Sequence, residues 1–121
     1  MRYMMMVKGS KDYEAGAPPK PELMQAVGAY AEKMMKAGIL LDSAGLMPSA
    51  MGARIVVSGG NLNVIDGPFA EAKELIGGFG ILKANSKAEA IELGKAFMQI
   101  HADVLGPGYV GELEIRQMQG D

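Results

Sequence analysis

The amino-acid sequence predicts an α+β fold, with two helices on one face of a mostly antiparallel sheet. Three observations predict it. Apolar residues recur at helical spacing in two segments, about 21–37 and 86–101. Short runs rich in apolar and β-branched residues fill most of the remainder. Their order is strand, helix, strands, hairpin, strand, helix, strand, which gives two layers around one core.

The first strand is Arg2-Tyr3-Met4-Met5-Met6-Val7-Lys8, an apolar run with polar ends that is too short for a helix. Residues 10–20 carry Ser, Lys, Asp, Gly, Ala and Pro, which is loop chemistry. Pro21 opens the first helix, at the first helical position, where its missing N–H needs no partner. Leu23, Val27, Tyr30 and Met34 form the inner stripe, widened by Ala31 and Met35, and Gly38 stands at the expected left-handed cap. Ile39-Leu40-Leu41 begins a second strand, and Gly45 to Gly52, with Pro48 and Ser49, reads as a loop.

Residues 53–58, Ala-Arg-Ile-Val-Val-Ser, and 62–65, Leu-Asn-Val-Ile, flank Gly59-Gly60-Asn61 and predict a β-hairpin. Asp66-Gly67-Pro68-Phe69 ends its second arm. Leu75 to Leu82 forms a further strand whose glycines imply close backbone contacts. Ser86-Lys87-Ala88-Glu89 is a capping box that launches the second helix, with Ala90, Leu93, Phe97 and Ile100 inward. Gly106-Pro107-Gly108 turns the chain, and 112–118 alternates polar and apolar residues as a half-exposed strand does. The succession β-α-β-β-α-β, with an added hairpin, is the ferredoxin-like split β-α-β sandwich.

Composition bounds the function classes. The 121 residues suit a single domain, 1–121, and 49% are apolar. Eleven Met make an adaptable interior. A net charge of −2 without a basic stripe argues against nucleic-acid partners. The absence of Cys removes disulfides, thiolate catalysis and thiolate metal sites. No apolar run approaches the roughly 18 residues that a membrane span needs, and no signal-peptide pattern precedes the first strand. A cytoplasmic protein without membrane contact is the expectation. The sheet's uncovered face would expose a large apolar patch, so a homodimer with two sheets facing is expected.

Candidate site residues gather around Asp66. Asp66 either caps its own turn through backbone N–H groups or points into a cleft as general base or substrate anchor, which needs a pKa brought near the working pH. Arg54 or Lys73 would assist it there. Pro68 pre-sets a turn conformation, and Phe69 can bury its ring beneath it. His101, the only histidine, suits the C-terminal end of the second helix, or takes a proton-transfer role. A single His excludes a two-His metal site within one chain, and no dinucleotide, Walker A, nucleophile-elbow or zincin pattern occurs, so neither metal nor cofactor is assigned.

The stretch Val64-Ile65-Asp66-Gly67-Pro68-Phe69-Ala70-Glu71-Ala72-Lys73-Glu74-Leu75-Ile76-Gly77-Gly78-Phe79 resembles the signature of the DGPF-domain proteins, which group with the YCII-related family. Ala72 departs from it, where Thr is usual. Arg2-Tyr3-Met4-Met5, Ala37-Gly38-Ile39-Leu40, Gly45-Leu46 and Glu112 to Met118 resemble further family segments. The resemblance implies a ferredoxin-like fold that dimerises as an α/β barrel. Some relatives are enzymes, among them a chloromuconolactone dehalogenase with a proposed His–Asp pair, and many DGPF proteins are encoded near extracytoplasmic-function sigma factors. Met47 stands where some relatives carry His, and His101 does not match that branch. The polar, turn-rich signature beside apolar strands points to a small-molecule-binding protein or enzyme with a pocket near Asp66; the missing His–Asp pair and the gene context of the resembling family make a non-catalytic regulatory module linked to a sigma factor the alternative.

Overall fold

A computed structural model describes residues 1–71 and 74–120. Strand β1 (Arg2–Lys8) is followed by a one-turn helix α1 (Lys11–Glu14), helix α2 (Pro21–Lys36) and strand β2 (Leu40–Gly45). A 3₁₀ turn (Ser49–Met51) leads into strands β3 (Ala53–Ser58) and β4 (Asn61–Asp66), then β5 (Ile76–Lys83), helix α3 (Lys87–Leu105) and β6 (Leu113–Gln117).

The first deviation from the sequence expectation is α1, inside the segment read as loop. Ser10 caps it by accepting the Tyr13 N–H at 3.2 Å, and Asp12 and Glu14 suit the positive end of its dipole. Helix α2 starts at Pro21 and ends as expected. Gly38 takes φ +74°, with Gly38 N–H donating to Met35 O and Ile39 N–H to Met34 O, the paired bonds of a Schellman motif. Met35, expected on the inner stripe, is exposed. Ser86 caps α3 by accepting the Glu89 N–H at 3.1 Å. The Glu89 carboxylate reaches back to the N–H of Asn85, one residue earlier than an ideal capping box. The inner stripe of α3 runs through Ala90, Gly94 and His101, all buried, with Leu93 and Phe97 beside them.

Four strands form the main sheet in the order β2-β5-β1-β6, every neighbouring pair antiparallel. The chain is thus α+β and compatible with the ferredoxin-like split β-α-β arrangement, with β3–β4 as a separate two-stranded sheet inserted between β2 and β5. Both central glycines of the hairpin turn, Gly59 and Gly60, have positive φ (57° and 79°), as the tight turn matching strand twist requires.

Pairing fixes the faces. Tyr3 sits opposite Leu82 and Met5 opposite Gly80, and these side chains meet the helices, where Tyr3, Met5, Leu40, Leu82 and Ala90 are buried against Leu93 and Ile115. Gly94 lets α3 approach β6 closely, since a Cβ there would lie 2.8 Å from the Ile115 side chain. The opposite face presents Met4 paired with Ile81 and Met6 paired with Phe79, all half-buried and covered by no helix. Around them stand Lys8 and Glu114, which form an ion pair at 3.3 Å, and Arg116.

Leu82 is among the most enclosed apolar side chains, at 3% exposure. Leu82→Ala should lower the free energy of unfolding by about 2–5 kcal/mol, read by urea denaturation at fixed protein concentration. A loss below about 1 kcal/mol would place the core elsewhere.

Candidate functional site

The Asp66–Phe69 turn is held by three segments distant in sequence. The Glu14 carboxylate, from the end of α1, accepts the backbone N–H of Ser49 at 3.0 and 3.2 Å and its hydroxyl at 2.5 Å. The same Ser49 oxygen accepts the backbone N–H of Phe69 at 3.0 Å. Gly67 N–H donates to Gly52 O at 3.0 Å. Tyr13, also on α1, donates its hydroxyl to Leu46 O at 2.6 Å, fixing the start of the same loop. The Gly67–Pro68 peptide is cis.

Gly67 is required by proximity. It does not adopt positive φ, but a Cβ there would overlap the Ser49 carbonyl. The turn and the 3₁₀ turn lie backbone against backbone, which only glycine permits.

Asp66 is exposed, and its carboxylate takes no hydrogen bond or ion pair among the described residues. The expectation that Asp66 caps the turn is therefore corrected: Ser49, read only as part of a loop, is the side-chain acceptor for the turn's Phe69 N–H. A sequence signal for Ser49 existed in Pro48-Ser49, a turn dipeptide, but its partners lie 20 and 35 residues away.

Arg54 and Phe69 do meet. The guanidinium carbon lies 3.9 Å from the centroid of the Phe69 ring, within cation–π range. Arg54 makes no ion pair with a described carboxylate. The ladder pairs Asp66 with Ala53 and Arg54 with Ile65, so Asp66 and Arg54 point to opposite faces of the hairpin. Lys73 lies outside the described residues. His101 belongs to a different region. It is buried on α3, with Nδ1 hydrogen-bonded to Phe97 O at 3.0 Å and its ring between those of Phe97 and Tyr109. Burial raises the pKa of the Tyr109 hydroxyl there.

Two concavities at the surface lie away from the turn. One runs between α3 and β6, lined by Lys87, Lys95, Met98 and Ile115. The other lies beside Lys8, Glu74 and Glu112. Neither is lined by Asp66. Among the described residues no three His, Cys, Asp or Glu side chains gather as a metal site would require, and no helix is long and apolar enough to cross a membrane.

These features define an α+β protein with an inserted hairpin and a rigidly pinned Asp-Gly-Pro-Phe turn. Comparison with known proteins agrees: the model of the YCII-related domain matches residues 1–118, and the chain belongs to the YCII-related family. It is similar to an uncharacterised protein of Rhizobium meliloti (strain 1021), with 36% identity over 73 residues, a match covering 60% of this chain and 59% of that relative.

Gly67→Ala should destabilise the protein more than Ser49→Ala. The glycine variant forces backbone apart and is expected to cost about 3 kcal/mol or more, whereas Ser49→Ala removes side-chain hydrogen bonds and is expected to cost about 1–3 kcal/mol. Urea denaturation of both variants at one concentration checks the order. The reverse order would mean that the two turns do not touch.

Proposed function

We propose that this YCII-related protein is a subunit of a homodimer that binds a small molecule bearing a carboxylate or similar oxyanion at the Asp66–Phe69 turn. The observation that carries the site is Arg54: it rests on Phe69 and makes no ion pair with a described carboxylate. A guanidinium presents planar donors that match a carboxylate or phosphate in a two-bond fork. The turn beneath is over-determined by the Glu14–Ser49 junction, so Phe69 and the cation on it are pre-positioned, which lowers the ordering cost of binding. Asp66 lies on the opposite face of the hairpin, so its negative charge is kept away from the anion that Arg54 would hold.

The homodimer rests on the main sheet. Its uncovered face has an apolar centre, Met4, Met6, Phe79 and Ile81, and a charged border of Lys8, Glu114 and Arg116. An apolar centre with a polar rim is the anatomy of a protein interface.

A thermal-shift screen tests the site. Small carboxylates should raise the melting temperature and their neutral amides should not, with stabilisation of about 2.7 kcal/mol at a hundredfold excess over Kd. Arg54→Gln should abolish the shift while leaving the unliganded melting temperature near wild type, because exposed substitutions usually move stability by less than about 0.5 kcal/mol. Equal shifts from amides, or a full shift in the variant, would contradict the assignment.

Asp66→Asn separates anchoring from folding. With no hydrogen bond to its carboxylate among the described residues, the variant should fold with stability within about 0.5 kcal/mol of wild type and keep its ligand affinity by isothermal titration, because Asp66 faces away from Arg54. An unfolded variant would restore the capping role.

A further inference from the structure

We infer that the β3–β4 hairpin is an arm whose apolar face docks on a second copy of this chain. The inference rests on the homodimer proposed above and adds to it a second contact, distinct from the open sheet face.

The ladder register sorts the hairpin into two unlike faces. Arg54 with Ile65, Val56 with Asn63 and Ser58 with Asn61 form a mixed, largely polar face. Ala53 with Asp66, Ile55 with Val64 and Val57 with Leu62 form the other, which is apolar from Ile55 to the turn and carries one charge, Asp66, at its base. Ile55, Val64, Val57 and Leu62 are exposed by 70%, 67%, 70% and 70%, and they lie in one contiguous ladder. Scattered exposed apolar residues are ordinary, whereas a contiguous apolar ladder marks an interaction surface. The arm is also a two-stranded sheet of its own, and isolated hairpins are marginal in water. It needs a surface to lie on, and no described segment of its own chain covers the ladder.

The exposed surface area is consistent in size with a second copy as the occupant. A folded monomer of 12.8 kDa is expected to expose about 6,300 Å². This chain exposes 8168 Å². The surplus, about 1,900 Å² per chain, exceeds the roughly 800 Å² per partner of a standard transient interface and falls in the range of obligate homodimers. Both the uncovered sheet face and the apolar ladder belong to the same chain, so a two-fold pairing supplies each surface twice. A second copy is thus large enough a partner to cover the surplus.

Sedimentation velocity on wild type and on the double variant Val57→Asp/Leu62→Asp tests the arm. The expected result is a wild-type dimer at micromolar concentration and a variant that dissociates about 100-fold more readily, with unchanged far-ultraviolet circular dichroism. A folded variant that dimerises like wild type would overturn the arm and leave the sheet-face dimer standing. A monomeric wild type would overturn both.

A second variant keeps the test decisive if the double variant misfolds. The chain has no Cys, so Val57→Cys introduces a single thiol on the arm. Its reaction with a thiol reagent should be slow at high protein concentration and accelerate on dilution as dimers separate. Free-thiol reactivity at every concentration would overturn the docking.

Discussion

The Ser49 hydroxyl is the point on which the functional half of the molecule hangs. It donates to Glu14 and accepts from the Phe69 amide, so α1, the 3₁₀ turn and the end of the hairpin meet at one oxygen. The Glu14 carboxylate also takes the Ser49 amide, which makes both bonds to it charge-assisted. Without that junction the hairpin would hang from the sheet by its two connections alone. With it, the arm leaves the body along a fixed direction, and the Gly67 backbone is pressed against Ser49 where no side chain fits. The Asp-Gly-Pro-Phe motif is thus first a joint. The binding role proposed for it rests on what the joint holds still, the Phe69 ring and the Arg54 guanidinium above it.

The second constraint is a shortage of interior. Only Tyr3, Met5, Leu40, Leu82, Ala84 and Ala90 are buried apolar residues among those described, and none of the larger side chains is fully enclosed. Helices α2 and α3 cover one face of the main sheet, and the other keeps Met4, Met6, Phe79 and Ile81 half-exposed. The hairpin adds a further apolar face that contributes nothing to the single-chain core. Hydrophobic burial is the main favourable term in folding, and a sequence that is 49% apolar but encloses so little is the ground for the proposed homodimer.

Much of the fold was legible because its signals are local. Pro21 and Gly38 bracket α2, Ser86 and Glu89 start α3, and Gly59-Gly60 closes the hairpin, each through conformations set within a few residues. Helix α1 escaped notice because a single turn has no periodicity to read, although Ser10 before Asp12 and Glu14 was a cap signal. The site was less legible. Capping was one of two readings of Asp66, adjacent to the turn, yet the bond comes from Ser49, 20 residues upstream of Phe69. A glycine before a proline signals no more than a tight backbone path, whereas the reason for Gly67 is the approach of a distant carbonyl. His101 sat at the predicted helix end, and only packing between Phe97 and Tyr109 shows it as part of the interior.

Whether the arm reaches a second chain is most directly measured by isotope-filtered NMR on dimers assembled from one labelled and one unlabelled subunit. Intermolecular nuclear Overhauser contacts from the methyl groups of Ile55, Val57, Leu62 and Val64 are the expected result. A spectrum in which those methyls contact only their own chain, while Met4 or Met6 shows contacts across the dimer, would contradict it.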